Sequence, residues 1–235
     1  METLIMGLSN LGELVVFAEA NGGFFSGVWE FIGSIIKGIY GFTGNWGVAI
    51  IVLTIIIKLI LFPSTMKQNK SMQDMQKVQP EIKKIQEKYK DDKQTQQQKL
   101  MEVYQKHNVN PFSSCLPLLI QLPILIALFQ TILRLEELHG ATFLWIDNLA
   151  GPDTLLAVIT GATMFLQTQL QQKWSGAEAN PQMKTMGMVM PVMIIFIGRT
   201  LPSGVLIYWF TSNLIMIGQQ YLIKERREVA EGESS

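Results

Sequence analysis

The sequence predicts an all-α, polytopic membrane protein: five transmembrane helices, an amphipathic helix on the outer surface and a cytoplasmic two-helix coiled-coil hairpin. Three observations predict it. Of 235 residues, 48% are apolar and 16% charged, against about a quarter charged in ordinary soluble domains, and the mean hydropathy is +0.23. The apolar residues collect in five segments of near-spanning length, and Lys and Arg crowd onto one side of them. Such a composition excludes a disordered scaffold. Nineteen basic residues against nineteen acidic ones speak against a basic nucleic-acid module. A single cysteine, Cys115, closes no internal disulfide and builds no cysteine-rich zinc site.

Residues 1–23 form an outer tail. Ala18-Glu19-Ala20 resembles a small-residue cleavage site, yet the first fifteen residues hold Glu2 and Glu13 and no Lys or Arg, the reverse of a signal peptide's charge. A native signal upstream, or one replaced here, stays open. Over 24–42, Phe24, Val28, Phe31, Ile32, Ile35, Ile36 and Ile39 recur at helical spacing, with Glu30 and Lys37 elsewhere, so this helix is expected to lie on the outer membrane surface. The first span, 43–62, contains WGVAIIVLTIIIKLILF, broken only by Thr54 and Lys58, and Pro63 is placed to stop it.

The cytoplasmic piece, 63–110, is of another kind. Met75, Val78, Ile82, Ile85 and Tyr89 are spaced 3, 4, 3, 4, the seam of a coiled coil. Lys90-Asp91-Asp92-Lys93 interrupts it before Leu100, Val103, Tyr104 and His107 resume, which predicts two antiparallel helices joined by a polar turn. A seam this small predicts a mobile hairpin. Its Lys-rich face reads as a solvated surface, or as a contact for anionic lipid or ribosomal RNA.

The second span is 111–134, followed by an outer loop, 135–152; the third is 153–172, followed by a cytoplasmic loop, 173–184. The fourth and fifth, 185–200 and 201–223, lead to a cytoplasmic tail, 224–235. The third and fourth are short and contain Gly or Pro, so re-entrant segments or buried helices of a soluble protein are the competing reading; five such segments leave too little polar sequence to cover them. Pro117, Pro123 and Pro191 each remove a backbone donor, which predicts bent spans packed against neighbours.

Orientation follows from charge. Ten Lys lie between Pro63 and Asn110, and Lys173, Lys184, Lys224, Arg226 and Arg227 bring that side to fifteen; the other side has Lys37, Arg134 and Arg199. Fifteen against three places the first group in the cytoplasm, with the amino terminus outside and the carboxyl terminus inside.

The apolar runs contain no Asp, Glu or His. Intramembrane aspartyl proteolysis, carboxylate proton relays and helix-borne zinc proteolysis all need such groups. No phosphate-binding glycine loop is present, and Ser113 and Ser114 beside Cys115 have no intramembrane base. No catalytic residue, metal site or cofactor is expected.

One residue stands out. Lys58 sits four residues before Phe62, roughly 6 Å inside the cytoplasmic end of its span. It either snorkels to the interface or faces a hydrated interior. Thr54 lies one turn away on the same face, and Gln121, Gln130, Gln167, Gln169, Ser212, Asn213, Gln219 and Gln220 lie on other spans. Singly, each reads as an interhelical hydrogen bond; together, with no carboxylate to neutralise Lys58, they point to a hydrated, positive groove suited to a negative group from elsewhere.

The stretches NWGVAIIVLTIIIKLILFP, MQKVQPEIKKIQEKYKDD, KHNVNPFSSCLPLLIQLPI, the FLW at 143–145, NPQMK with MPVMIIFI, and LPSGVLIYWFTSNLIMIGQQ resemble, in order and over about residues 24–224, the YidC/Oxa/Alb family of membrane protein insertases, in the short five-span form of Gram-positive bacteria. The resemblance implies a five-helix bundle in a bacterial plasma membrane, enclosing a hydrophilic groove open to cytoplasm and lipid, with nascent membrane proteins and membrane lipids as partners. A ribosome and a secretion translocon are candidate partners, and no small-molecule substrate is expected. In relatives the groove's central cation is arginine; here the position reads Lys58. By the same matching, Thr54, Gln167 and Trp209 line the groove, with Gln121, Gln169, Ser212 and Asn213 as further groove polar groups. An assembly factor without insertase activity and a small-solute transporter are the alternatives, although neither internal repeats nor ion-coordinating carboxylates favour the transporter.

Overall fold

The structure is a computed structural model that describes residues 22–110, 116–174 and 181–232. Ala18-Glu19-Ala20, Ser113, Ser114 and Cys115 lie outside these residues. Apart from an isolated bridge between Phe143 and Ile146, the described residues form helices and their connections.

Helix α1 (Gly22–Thr43) lies against α2 (Trp46–Ile60) and α6 (Leu116–Arg134). Its inner face carries Ile32 and Ile36, both buried, with Val28, Ile35, Ile39 and Tyr40 packed around them; Phe31 points outward. Between α1 and α2 the chain reverses at Gly44, whose φ of +65° favours glycine. The Tyr40 ring stacks on Trp46 with centroids 4.0 Å apart, and the Asn45 side chain caps α2 by accepting from the Val48 amide.

Helix α2 ends at Ile60, not at Phe62, and the chain does not leave helical geometry there. The Leu61 amide donates to Ile57 and Leu59, and α3 (Phe62–Lys77) restarts with Pro63 in its first turn. The missing amide of Pro63 is harmless at a helix start. The two axes meet at 61°, so Pro63 produces a bend.

The segment expected to be a cytoplasmic hairpin differs from two simple helices. Its first arm breaks at Val78 into α3 and α4 (Gln79–Lys88), because Pro80 occupies the first turn of α4. Helix α5 (Lys93–Lys106) begins at Asp92, whose side chain accepts from the Thr95 amide. Met75, Val78, Ile82 and Val103 form a small core of their own, lined by Ile85, Leu100, Tyr104 and Val109. Glu81 on α4 meets His107 Nε2 at 2.9 Å and Lys106 Nζ at 3.5 Å around the end of α5.

After α6 the chain turns through a short 3₁₀ segment, Glu136–Leu138, where Glu137 pairs with Lys37 of α1 at 2.8 Å. Leu138, Ile146 and Leu149 are buried in the main core. Asn148 Oδ1 accepts from the Gly140 and Ala150 amides. The amide and hydroxyl of Ser203 both donate to Gly151 O at 2.7 Å, and the Gly204 amide donates to Leu149 O. These bonds sew the loop to the first turn of α9 (Ser203–Gly232).

Helix α9 is the hub, packing on α7 (Thr154–Trp174), α2 and α6. At Gly204 a β-carbon would run into Ile132 and Ile50, so glycine is what lets three helices meet there. Helix α8 (Pro181–Gly198) begins four residues before the expected start of its span and packs on α7. Helix α9 itself runs on past the expected boundary at 223 as one 30-residue element.

Among the described residues no single helix is long and apolar enough to cross a membrane; the bent pair α2 and α3 qualifies by length and composition. Ile120–Arg134 and Gly187–Gly198 are shorter apolar helices. Phe165 and Leu166 on α7, Val192 and Phe196 on α8, and Leu59 and Ile60 on α2 all point outward. Large apolar side chains thus face outward on α2, α7 and α8, an exposure that marks a surface covered by lipid or by another protein.

Candidate functional site

The rotation of α2 decides where Lys58 points. Trp46, Gly47, Ala49, Ile50, Leu53, Thr54 and Lys58 are its buried residues, one stripe at intervals of three and four. On the other side Leu59 is 65% and Ile60 69% exposed, whereas Lys58 is 9% exposed. Its ammonium makes no hydrogen bond or ion pair among the described residues. Thr54, one turn earlier, is fully buried, and its hydroxyl donates to Ile50 O at 2.6 Å, so its hydrogen is already used and the oxygen can only accept.

The other sequence-predicted residues are distributed over the helices that pack around α9. Gln167 on α7 is buried and donates to Gln171 at 3.3 Å, while Gln169 is half-buried. Gln121 on α6 donates to the Tyr208 hydroxyl at 2.8 Å. Asn213 on α9 donates at 3.4 Å both to Thr160 O and to Thr163 Oγ1 on α7. Ser212 is buried and Trp209 half-buried on the same helix. The structure brings Gln121 and Asn213 into direct interhelical bonds. No hydrogen bond joins Lys58 to Gln167, Trp209 or the rest.

Several polar groups escaped the sequence reading. Gln68 on α3, Gln76 and Gln79 at the break between α3 and α4, Thr160 on α7 and Thr211 on α9 are all buried. Gln171 reaches from α7 to Met72 Sδ of α3 at 3.9 Å, so the arm below the bend sits against the bundle. The side-chain carbonyl oxygens of Gln76, Gln79, Gln219 and Gln220 are buried with no donor among the described residues. Buried acceptors normally find a partner, so these four are open to a donor from outside the described residues, such as water. Nothing local marks those of the arm: Gln68, Gln73, Gln76 and Gln79 recur through a largely polar segment, and only the tertiary packing separates the buried ones.

Chemically, the interior offers one cation without an internal counter-ion among the described residues, several carbonyl acceptors and a few hydroxyls. Among the same residues no group of three or more His, Cys, Asp or Glu can hold a metal.

An all-helical bundle with large apolar side chains facing outward, and with Lys58 and several amides buried inside, defines a protein of the helical membrane class. Residues 38–231 match the model of the family described as 60Kd inner membrane protein, and the chain belongs to that family, the YidC/Oxa insertases. A relative from Fusobacterium nucleatum subsp. nucleatum, named membrane protein insertase YidC, is 46% identical over 199 residues, covering 84% of this chain and 95% of that protein. One of the same name from Francisella tularensis subsp. novicida is 45% identical over 197 residues, covering 83% of this chain but 35% of its own. A crystal structure described as active YidC insertase with its first transmembrane domain resolved superposes with a TM-score of 0.68 at 32% identity, covering 88% of this chain and 49% of that one. The chain thus spans about a third to a half of some relatives and nearly all of another.

Proposed function

We propose that this chain is an insertase of the bacterial plasma membrane, crossing it with α2, α6, α7, α8 and α9, with its amino terminus outside and its carboxyl terminus in the cytoplasm. Helices α6, α7 and α8 contain 19, 21 and 18 residues, or ~27–31 Å at 1.5 Å per residue, close to a hydrocarbon core of about 30 Å. Their average apolarity is diluted by Gln121, Gln130, Thr160 and Gln167, residues turned inward or bonded between helices. Helix α1 lies on the outer face, and α3 to α5 form the cytoplasmic hairpin.

The observation that carries the reading is Lys58, buried on the inward face of α2 without an acidic partner among the described residues. A cation left uncompensated inside a membrane protein is costly and commonly marks a functional path. In this reading Lys58 attracts acidic or polar residues in the outside-destined tail of a nascent membrane protein. Thr54, Gln167 and Trp209, with Gln121, Gln169, Ser212 and Asn213, line the same hydrated groove. Unpartnered glutamine oxygens near the cytoplasmic end accept the incoming chain's amides. The guest's apolar segment leaves along α2 and α9 into lipid, driven by apolar burial, while the membrane potential pulls acidic groups outward.

Liposomes containing only this protein and a single-span substrate with a short acidic outer tail test the reading by protease protection. Insertion by the wild type, its loss in Lys58→Ala and its retention in Lys58→Arg are expected. Equal insertion by Lys58→Ala removes the charge-attraction step. Stabilised but uninserted substrate indicates an assembly factor, and solute uptake a transporter.

A further inference from the structure

Phe143 and Ile146 exchange both backbone hydrogen bonds, each 2.9 Å, closing a two-residue turn that holds Leu144 and Trp145 at its tip. Leu144 has φ +53°, a conformation that turns normally give to Gly, Asn or Asp because a β-carbon is crowded there. Packing does not account for the leucine: its side chain is 76% exposed, and Trp145 is 47% exposed. A bulky apolar residue is held in an unfavourable backbone state and aimed away from the protein.

The height of this tip is set by the core. The Phe143 ring lies directly on Gly47, where any β-carbon would collide with it, and Gly47 is the second residue of α2. Phe42, 95% exposed, leaves the end of α1 just before the same turn of α2. Three exposed apolar side chains thus stand at the level where the first span begins. Around them the loop carries Glu136, Asp147 and Glu137, the last paired with Lys37, which disfavours an anionic headgroup but suits a neutral interface, where Trp is characteristically found.

We infer that the Leu144–Trp145 tip inserts into the outer headgroup and acyl boundary of the bilayer and sets the depth of α2, and with it of Lys58. Lys58 is eleven residues beyond Gly47, ~16 Å along the helix. The inference rests on the membrane reading above for the side on which the tip lies.

Spin labels test it in phosphatidylcholine vesicles, on a Cys115→Ser background, at Leu144→Cys, Trp145→Cys, Asp147→Cys and Leu59→Cys. Labels at 144 and 145 are expected to be more accessible to oxygen than to a water-soluble nickel complex, as at 59, and the label at 147 the reverse. Leu144→Gly, which relieves the backbone, is expected to keep the fold and shift the label at 145 toward water. Nickel-accessible labels at 144 and 145 with an oxygen-accessible label at 59 overturn the anchor alone. A water-exposed label at 59 overturns the membrane placement itself, and labels at 144 and 145 shielded from both reagents overturn lipid contact in favour of a protein contact.

Discussion

Gln121 and Tyr208, 87 positions apart, meet inside the bundle: the amide nitrogen of one donates to the hydroxyl of the other at 2.8 Å. Tyr208 is fully buried, so this bond fixes how α9 sits against α6, and its neighbour Trp209 turns with it.

Tyr208→Phe removes the acceptor and leaves the Gln121 amide facing an apolar ring. Interhelical hydrogen bonds in membranes contribute about 0.6 kcal/mol, rarely above ~1.7; a loss in that range is expected in detergent unfolding. Gln121→Leu combined with Tyr208→Phe is expected to cost less than the two single losses added together, because each single change already breaks the bond.

Charge reversal tests the role of Lys58 more sharply than its removal. Lys58→Glu is expected to abolish insertion of acidic-tailed substrates while the protein remains folded, because the position faces the interior in either case. Restoration of insertion by changing the substrate tail to Lys, measured in the same vesicles without a membrane potential, identifies attraction as the operative step.

Helices α7 and α8 approach through glycine. A β-carbon at Gly161 would collide with Ile195 and lie 3.0 Å from the backbone oxygen of Pro191. Backbone cannot swing aside as a side chain does, so Gly161→Val is expected to push the helices apart and cost about 1–3 kcal/mol, read as a lowered Tm. At Gly38 an added methyl group meets nothing within 4 Å, so Gly38→Ala is the control expected to leave the packing unchanged.

The α3–α5 hairpin is expected to loosen in acid. The hydrogen bond from His107, and secondarily Lys106, holds the Glu81 carboxyl below the usual carboxylate range; bonds from Thr95 do the same for Asp92. A carboxyl depressed by folding contributes stability that is present above its unfolded value and lost as pH falls through its folded one. Hydrogen exchange in α4 and α5 is therefore expected to rise below the usual carboxylate range, and Glu81→Gln to weaken that pH dependence.

The hairpin seam was legible because Met75, Val78, Ile82 and Val103 follow helical spacing, and spacing survives without tertiary knowledge. Its break at Val78 had a local signal, Pro80, overridden by the regular period around it. The direction of Lys58 was harder: α2 is apolar nearly all round, so periodicity cannot say which side faces inward until α9 and α1 cover it. Gln76 and Gln79 carry no local sign of burial, because the segment around them is polar on average. The Gln121–Tyr208 pair has no sequence signature, since nothing local links positions 87 apart.

Helix α9 contains 30 residues, ~45 Å at helical rise, more than a bilayer core of about 30 Å can cover. Its first turn is stitched to the loop after α6 through Ser203 and Gly204, so it is a lever fixed at one end. Because Tyr208 and Asn213 sit on this one element, α9 cannot tilt about that fixed end without moving both of its interhelical bonds together.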